Sequence, residues 1–281
     1  MGTYAVTGSA SGMGRAAADK LRAAGHTVIG VDLADAEVNA DLSAGGGRRE
    51  AAEAVLAAAG DHLDGAVLAA GIGPVSGRER AIAQVNYLGA VDLLRTWRPA
   101  LREGKVVVFA SNSTTATPLV PRRAVRALLA DDPDRAVRSA RMFGRAAPLM
   151  VYAATKLALT RWVRRNAVRP EWAGEGIRLN ALAPGAVRTP LLERQLAEPV
   201  GAKAFRSFPV PIGGFGDPDQ LGDWVVFLLS DAADFLVGSV LFVDGGSDAY
   251  LRPDAWPQPV RLPGLVGYVR RMREFARRRA G

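Results

Sequence analysis

Apolar and polar stretches alternate along the chain in a pattern that predicts strands separated by helices. Short, almost continuously apolar segments are typical of strands buried on both faces of a sheet. We expect such strands at Thr3–Thr7, 26–32, 65–70, 105–110, 177–182 and Val240–Val243. Helical patterns lie between or beside them at 13–24, 50–59, 79–101, 152–172 and 220–229. The alternation predicts an α/β protein with a single doubly wound, mostly parallel sheet that has helices on both faces.

The same pattern indicates how the chain is organised. Residues 1–250 hold the whole alternation without an internal repeat or a linker, so we expect one domain there. Two further helical patterns, at 125–130 and 135–143, predict a helical insertion in the second half of this domain. The remaining segments are the insertion itself at 114–150, a long loop at 190–216 and a basic, helical C-terminal tail at 251–281.

Composition excludes several kinds of site. The chain of 281 residues has no cysteine, so it forms neither disulfides nor thiolate metal sites. Its two histidines, His26 and His62, are far apart and lack clustered carboxylates, so we expect no metal. The N-terminus has no signal-peptide pattern, and no apolar run approaches the ~20 residues that span a bilayer. We expect a cytoplasmic protein.

The net charge of +8 is concentrated in two segments. Residues 261–281 carry a net charge of +6 and residues 114–147 carry +4, which leaves −2 for the remainder. Because the body of the protein is not basic, we expect no nucleic-acid partner.

A glycine-rich turn follows the first predicted strand and precedes the first helix. Glycines allow a ligand to approach the backbone closely, and a helix N-terminus favours a pyrophosphate. The second strand ends at Asp32, where a carboxylate accepts hydrogen bonds from ribose hydroxyls and repels a 2′-phosphate. Neither Ser11 nor Leu33 supplies a compensating positive charge, so we predict NAD rather than NADP. The candidate contacts in the turn are Gly8, Ser9, Ser11, Gly12, Met13 and Gly14.

Tyr152 and Lys156 stand four residues apart in a segment predicted to be helical. Side chains with this spacing share a helix face, and a nearby ammonium group lowers the pKa of a phenol from its reference value of about 10. The pair is therefore a candidate acid/base group. Taken alone, the spacing is equally compatible with a half-buried tyrosine beside a surface lysine.

Taken together, the T-G-x-x-x-G-x-G and Y-x-x-x-K motifs resemble those of the short-chain dehydrogenase/reductase superfamily, which has a Rossmann-type fold. The resemblance covers residues 3–250 and includes the segments 85–89, 107–111, 179–190 and 242–246. One departure is Leu-Ala-Ala-Gly at 68–71, where the family usually has Asn-Asn-Ala-Gly. We expect this change to remove polar groups that support the sheet.

The resemblance implies a catalytic set of Ser111, Tyr152, Lys156 and Asn86, with Ser113 as the alternative serine. Tyr152 would transfer the proton, Lys156 would also bind the nicotinamide ribose, Ser111 would hold the substrate oxygen, and Asn86 would interrupt its helix to retain a water. The further NAD contacts that it implies are Asp41, Leu42, Ala70, Gly71, Pro184, Gly185, Val187 and Thr189, together with Leu33 beside Asp32.

The serine and the tyrosine are 41 residues apart, because the insertion lies between them. An insertion here is similar to that of bacterial 3α-hydroxysteroid dehydrogenase/carbonyl reductases, which implies a steroid or a similarly bulky apolar alcohol or ketone as substrate. Candidate substrate contacts are Ser113, Leu191, Leu192 and Phe205, although the apolar ones are equally compatible with ordinary packing. The alternatives are a terpenoid or aromatic secondary alcohol as substrate and, in another class, a non-catalytic NAD-sensing protein.

Two expectations concern association. The resemblance implies a homodimer, or a tetramer, formed through the helices that start near residues 78 and 152. The tail has an apolar helical face and many arginines. We expect it to pack on the domain or on a partner subunit, with binding to an anionic membrane surface as the less favoured alternative.

Overall fold

The computed structural model describes residues 1–197, 208–256, 259 and 262–279. In these residues one sheet of seven parallel strands has the order β3-β2-β1-β4-β5-β6-β7, which confirms the predicted fold class. The strands are β1 (Thr3–Thr7), β2 (Thr27–Asp32), β3 (Val38–Asn39), β4 (Gly65–Leu68), β5 (Lys105–Phe109), β6 (Arg178–Pro184) and β7 (Val240–Val243).

Helices connect these strands and flank the sheet. They are α1 (Gly12–Ala23), α2 (Gly45–Ala59), α3 (Glu79–Ala83), α4 (Ala90–Trp97), α5 (Ser113–Ala116), α6 (Arg122–Leu128), α7 (Pro133–Ala140), α8 (Ala147–Asn166), α9 (Pro190–Ala197), α10 (Pro218–Leu229), α11 (Ser247–Leu251) and α12 (Leu262–Arg279). A π-helical turn, Gln84–Gly89, joins α3 to α4. Short 3-10 turns lie at Arg98–Leu101, Arg141–Ala146, Ala173–Glu175, Asp231–Ala233 and Pro253–Ala255.

Several boundaries differ from the predicted ones for identifiable reasons. Strand β3 has only two residues, which is too short to show a period. Helix α8 begins at Ala147, five residues before the predicted start at residue 152. Pro148 lies in its first turn, where proline is tolerated because the backbone N–H groups there have no partner within the helix. The helix predicted at 79–101 is interrupted by the π-helical turn, so it is not one continuous α-helix.

Alternating strand residues form the cores on the two faces of the sheet. Ala5 and Val106 belong to one buried cluster, to which α2, α4 and α8 contribute. Val6 and Val107 belong to the other, to which α1 and α10 contribute. Because all strands are parallel, their carboxyl ends meet at one edge of the sheet, where ligands bind in open α/β folds.

The insertion is part of the main core. Helices α6 and α7 pack on α8, and α7 also packs on α3. Ala124, Val125, Leu128, Ala136 and Ala140 are almost completely buried there. The helices that we expected to mediate subunit association are therefore covered, at least in part, by the chain's own insertion.

The tail forms a helix, α12, and its expected packing on a partner subunit stays a prediction. Its apolar side chains Leu265, Val266 and Met272 are exposed. Within the described part of the chain, α12 has no extensive packing against any other helix or strand. No described helix is both long enough and apolar enough to cross a membrane.

Candidate active site

The predicted site residues lie in the loops that follow the carboxyl ends of the strands. The turn after β1 leads into α1, and the segments after β4, β5 and β6 carry Gly71, Ser111 and Gly185. Tyr152 and Lys156 reach this edge from α8, and Asn86 reaches it from the π-helical turn. The fold thus brings side chains from distant parts of the sequence to one edge of the sheet.

The turn after β1 requires glycine at two positions. Gly8 has φ +72°, and a Cβ there would lie 2.8 Å from the Ala70 nitrogen. A Cβ on Gly14 would lie 2.2 Å from the Gly8 oxygen, so a side chain would prevent the turn from packing against α1. The side chain of Ser11, the N-cap residue, does not cap the N-terminus of α1. Its first amides and this close-packed turn fit a pyrophosphate group.

Asp32 lies beside the glycine-rich turn at the end of β2. One carboxylate oxygen accepts a hydrogen bond from the Ala10 nitrogen at 3.0 Å, and the other accepts one from the Leu33 nitrogen at 2.7 Å. The Ser9 hydroxyl is buried and has no hydrogen-bond partner among the described residues. The carboxylate is held in a fixed orientation and keeps lone pairs that ribose hydroxyls can use.

Asp41 and Leu42 form the next part of the predicted cofactor site. The Asp41 carboxylate accepts hydrogen bonds from the hydroxyl and nitrogen of Ser43, and these bonds lower its pKa. Leu42 is buried and lies near Gly89, at the end of the π-helical turn. The adenine-side loop is therefore packed against the element that carries Asn86.

The sequence reading missed Arg48, which connects these two elements. Its guanidinium donates to the Leu42 carbonyl at 3.1 Å, to Gln84 Oε1 at 2.9 Å and to Asp92 at 2.8 Å. Arg48 is only 8% exposed. Its partners are up to 44 residues away, so no local spacing identifies it.

The Ser111 hydroxyl lies beside the Tyr152 phenol. Ser111 is buried two residues after β5, and its hydroxyl accepts a hydrogen bond from the Ser113 nitrogen at 3.1 Å. Burial raises the pKa of Tyr152, and the neighbouring Ser111 side chain lowers it by a smaller amount. We expected Lys156 to lower the pKa of Tyr152. In the protein without cofactor this pKa is raised instead, because desolvation of the phenolate dominates.

Lys156 lies one helical turn beyond Tyr152 and is buried. Its ammonium group donates to the Phe109 carbonyl at 2.8 Å. Burial lowers its pKa to about 8. A Cβ on Gly71 would lie 3.7 Å from the Lys156 nitrogen and 3.4 Å from the Asn86 oxygen, so these three residues are close neighbours.

Asn86 uses its side chain to hold the segment after β4. Its oxygen accepts from the Ile72 nitrogen at 2.7 Å, and its nitrogen donates to the Ile72 carbonyl at 2.8 Å. The Thr7 hydroxyl accepts from the nitrogens of Ala69 and Ala70, both at 3.1 Å. The asparagine side chains usual in segment 68–71 are absent, but the Thr7 hydroxyl supports this segment and Asn86 holds Ile72, which follows it.

The structure distinguishes between the two candidate serines. The Ser111 side chain lies close enough to Tyr152 to lower its pKa, whereas the Ser113 hydroxyl is buried without a hydrogen-bond partner among the described residues. The Asn112 amide nitrogen is also buried and unpaired within that set. The geometry favours Ser111 as the residue that acts together with Tyr152.

The segment after β6 closes the site. The Pro184 carbonyl accepts from the Asn112 nitrogen at 2.9 Å, and Gly185 fits closely against Asp244. Val187 is buried and forms an isolated bridge with Gly216. The methyl group of Thr189 would lie 3.3 Å from a Cβ on Gly12, which places Thr189 beside the glycine-rich turn.

The candidate substrate residues have different environments. Leu191 is partly buried, while Leu192 is 4% exposed and donates its backbone N–H to the Thr189 hydroxyl at 3.3 Å. Such burial favours a packing role for Leu192. Phe205 lies outside the described residues. The described residues contain no group of three or more side chains that could together bind a metal ion.

Comparison with known proteins agrees with this arrangement. Residues 4–171 match the family described as "NAD dependent epimerase/dehydratase family", and residues 136–248 match "Enoyl-(Acyl carrier protein) reductase". The chain belongs to the short-chain dehydrogenase/reductase superfamily of enzymes.

Individual relatives are similar over nearly their full length. A 3-alpha-hydroxysteroid dehydrogenase/carbonyl reductase from Comamonas testosteroni is 37% identical over 90% of this chain and 99% of its own. A 2,5-dichloro-2,5-cyclohexadiene-1,4-diol dehydrogenase from Sphingobium indicum is 32% identical over 88% of this chain and 97% of its own. The fold is also similar to the crystal structure of the 3-alpha-hydroxysteroid dehydrogenase from Pseudomonas sp. B-0831 complexed with NADH, with a TM-score of 0.85. The two sequences are 42% identical, and the match covers 90% of this chain and 100% of that chain.

Proposed function

We propose that this protein is an NAD(H)-dependent oxidoreductase that interconverts a secondary alcohol and a ketone on a steroid or a similarly bulky apolar substrate. The observation that carries the proposal is the arrangement of Ser111, Tyr152 and Lys156 at the same edge of the sheet as the glycine-rich turn. A non-catalytic NAD-sensing protein has no need of such a set.

Tyr152 transfers the proton in this proposal. It accepts the alcohol proton during oxidation and donates a proton to the ketone oxygen during reduction. Ser111, which lies beside the phenol, orients the substrate oxygen and stabilises the negative charge that develops on it. Bound NAD supplies the hydride acceptor, or NADH the hydride donor.

The pKa of Tyr152 determines how well it can act as a base. Burial raises it in the chain itself. Lowering a phenol pKa from about 10 to about 7 requires about 4 kcal/mol of phenolate stabilisation. The positive charges of Lys156 and of the oxidised nicotinamide, both in a poorly solvated site, are of the right sign and order of magnitude. Lys156 also holds the nicotinamide ribose in this proposal.

The cofactor site is proposed from the fit of the residues around the glycine-rich turn. The amides at the start of α1 bind the pyrophosphate, Asp32 accepts the ribose hydroxyls, and Asp41 and Leu42 contact the adenine side. Pro184, Gly185, Val187 and Thr189 cover the nicotinamide. The remaining contacts are Gly8, Ser9, Ser11, Gly12, Met13, Gly14, Leu33, Ala70 and Gly71.

The substrate class rests on the relatives. Both hydroxysteroid dehydrogenases match this chain over almost their whole length, and this favours a steroid or a molecule of similar shape. The diol dehydrogenase relative favours a second candidate, an alicyclic alcohol. Ser113 and Leu191 are the described residues that we propose as substrate contacts. A cytoplasmic location and a homodimeric assembly remain predictions.

The proposal is tested by incubating the purified protein with NAD⁺ or NADP⁺ and a panel of alcohols. The panel contains 3α- and 3β-hydroxysteroids, alicyclic and terpenoid alcohols, and aromatic secondary alcohols. We expect NADH formation with a hydroxysteroid and NAD⁺, and none with the Tyr152→Phe variant. If NAD⁺ binds but no member of the panel is oxidised, and none of the matching ketones is reduced by NADH, the proposed reaction is wrong.

A further inference from the structure

Helix α12 lies outside the residues that the proposed function uses. The hydroxysteroid dehydrogenase relatives are covered over 99% and 100% of their own length, whereas only 90% of this chain is matched. Because strand β1 already begins at Thr3 and β7 ends at Val243, the C-terminal tail accounts for most of the unmatched tenth. The tail is therefore an addition to the common fold.

One side of α12 is apolar and exposed. At 100° per residue, Leu262, Leu265, Val266, Val269 and Met272 fall within one half of the helix circumference. Val266 is 81% exposed, and Met272 is 58% exposed. Tyr268, also exposed, lies at the edge of this face. We call this side of the helix the apolar face.

The rest of α12 is positively charged. Arg271 lies opposite the apolar face, whereas Arg270 and Arg277 lie along one edge of it, and all three are exposed. The sequence 262–279 contains six arginines and one acidic residue, Glu274, which gives a net charge of +5. Glu274 forms only a weak ion pair with Arg270, at 3.7 Å. The helix thus combines an exposed apolar face with a strongly basic one.

We propose that α12 binds the surface of a membrane that contains anionic lipids. The helix lies in the plane of the membrane, with its apolar face in the acyl boundary and its arginines against the lipid phosphates. Arg273 lies within the apolar face, and its long side chain extends from there so that the guanidinium reaches the phosphates. A membrane matches both faces at once, whereas two copies of so basic a helix repel each other at close range.

The test is co-sedimentation of the full-length protein with vesicles. Phosphatidylcholine vesicles are compared with vesicles of phosphatidylcholine and phosphatidylglycerol, at low and high salt. We expect binding only to the anionic vesicles and a decrease of binding with salt. Replacing Arg270, Arg271 and Arg277 by serine should lower the partition coefficient roughly a hundredfold. Val266→Ser with Val269→Ser, which leaves the charge unchanged, should also weaken binding strongly, and a purely electrostatic contact would not predict this loss.

A matched control removes the same charge elsewhere. Replacing Arg122, Arg123 and Arg126, which are exposed on α6, by serine changes the net charge equally and should leave binding almost unchanged. None of the α12 variants should change the kinetics on a soluble alcohol or the thermal stability.

Two outcomes would overturn the proposal. One is equal loss of vesicle binding in the α6 and α12 variants, because binding would then depend only on total charge. The other is absence of binding to anionic vesicles together with a lower thermal stability or a smaller oligomer after the α12 substitutions. That result would mean that the helix packs on a second copy or on its own domain.

Discussion

The Arg48 guanidinium and the Asp92 carboxylate form a 2.8 Å ion pair between α2 and α4. The same guanidinium binds the carbonyl of Leu42 and the side chain of Gln84. Arg48 therefore joins the loop proposed to contact adenine to the turn that carries Asn86. It contacts neither the proposed reacting atoms nor the cofactor directly, so it is a positioning residue.

Arg48→Met should destabilise the protein and weaken NAD binding. The substitution removes a donor from the Leu42 carbonyl and leaves the partly buried Asp92 carboxylate with only its longer ion pair to Arg95 at 3.5 Å, so we expect a loss of roughly 2 kcal/mol in the free energy of unfolding. We also expect KM for NAD to rise more than kcat falls, because the adenine-side loop loses its support.

Urea unfolding and steady-state kinetics measure these two effects. Arg102→Met is the control, because its ion pair with Glu175 at 3.0 Å is largely exposed and should contribute less than about 1 kcal/mol. A stability loss in Arg48→Met with an unchanged KM for NAD would show that Arg48 has only a structural role.

The fold and the central site were predictable because their signals are local. Each strand except β3 is a short apolar run, and the spacing between Tyr152 and Lys156 is set by one helical turn. Arg48, in contrast, pairs across 44 residues and looks like an ordinary polar residue near the start of a helix. The hydrogen bonds between Thr7 and segment 68–71, and between Asn86 and Ile72, were missed for the same reason, because Thr7 and Asn86 lie elsewhere in the chain. Interactions between distant residues leave no period in the sequence.

Tyr152→Phe should abolish turnover while leaving the cofactor affinity within about twofold of wild type. The phenyl ring keeps its packing, but it has no hydroxyl to exchange a proton, and such a loss lowers kcat by about 10²–10⁴-fold. NADH binding is measured by fluorescence titration and turnover by NADH absorbance. Tyr87→Phe is a matched control, because the Tyr87 hydroxyl is buried and has no hydrogen-bond partner among the described residues. If Tyr152→Phe kept most of its activity, another group would be the acid/base.

Asp32→Asn should reduce the preference for NAD over NADP by about tenfold or more. The amide keeps the shape and the acceptor oxygen but removes the negative charge that repels a 2′-phosphate. The ratio of kcat/KM for the two cofactors measures this change. Asp35→Asn is the control, because Asp35 is exposed nearby and its positive φ is tolerated by asparagine. A wild-type enzyme that prefers NADP would contradict the role that we propose for Asp32.

The protein should be a homodimer in solution. The insertion covers α8 and part of α3, so the subunit contact would involve the insertion rather than those two helices alone. Light scattering over a range of concentrations measures the mass. A concentration-independent value near 29.6 kDa would exclude both the dimer and the alternative tetramer.

Lys156→Met should stabilise the protein at neutral pH while it abolishes activity. Burial lowers the pKa of Lys156 from 10.5 to about 8, so between these values the unfolded chain binds more protons than the folded one. The contribution of Lys156 to the free energy of unfolding of the wild type therefore rises with pH between about 8 and 10.5. Below about pH 8 the full cost of burying the charged side chain is present. That cost is about 3 kcal/mol, from which about 1 kcal/mol is subtracted for the lost hydrogen bond to Phe109.

We thus expect the variant to be about 2 kcal/mol more stable than wild type at pH 7 in urea unfolding without added cofactor, and its advantage to disappear by about pH 10. Lys105→Met is the control with the opposite sign. Burial acts to lower the pKa of Lys105, but its bonds to Asp231 and Asp234 outweigh burial and raise it. Its charged form is therefore stabilising, and the variant should be less stable than wild type at pH 7. If Lys156→Met were also less stable than wild type at pH 7, the buried ammonium group of Lys156 would not destabilise the folded protein, contrary to our prediction.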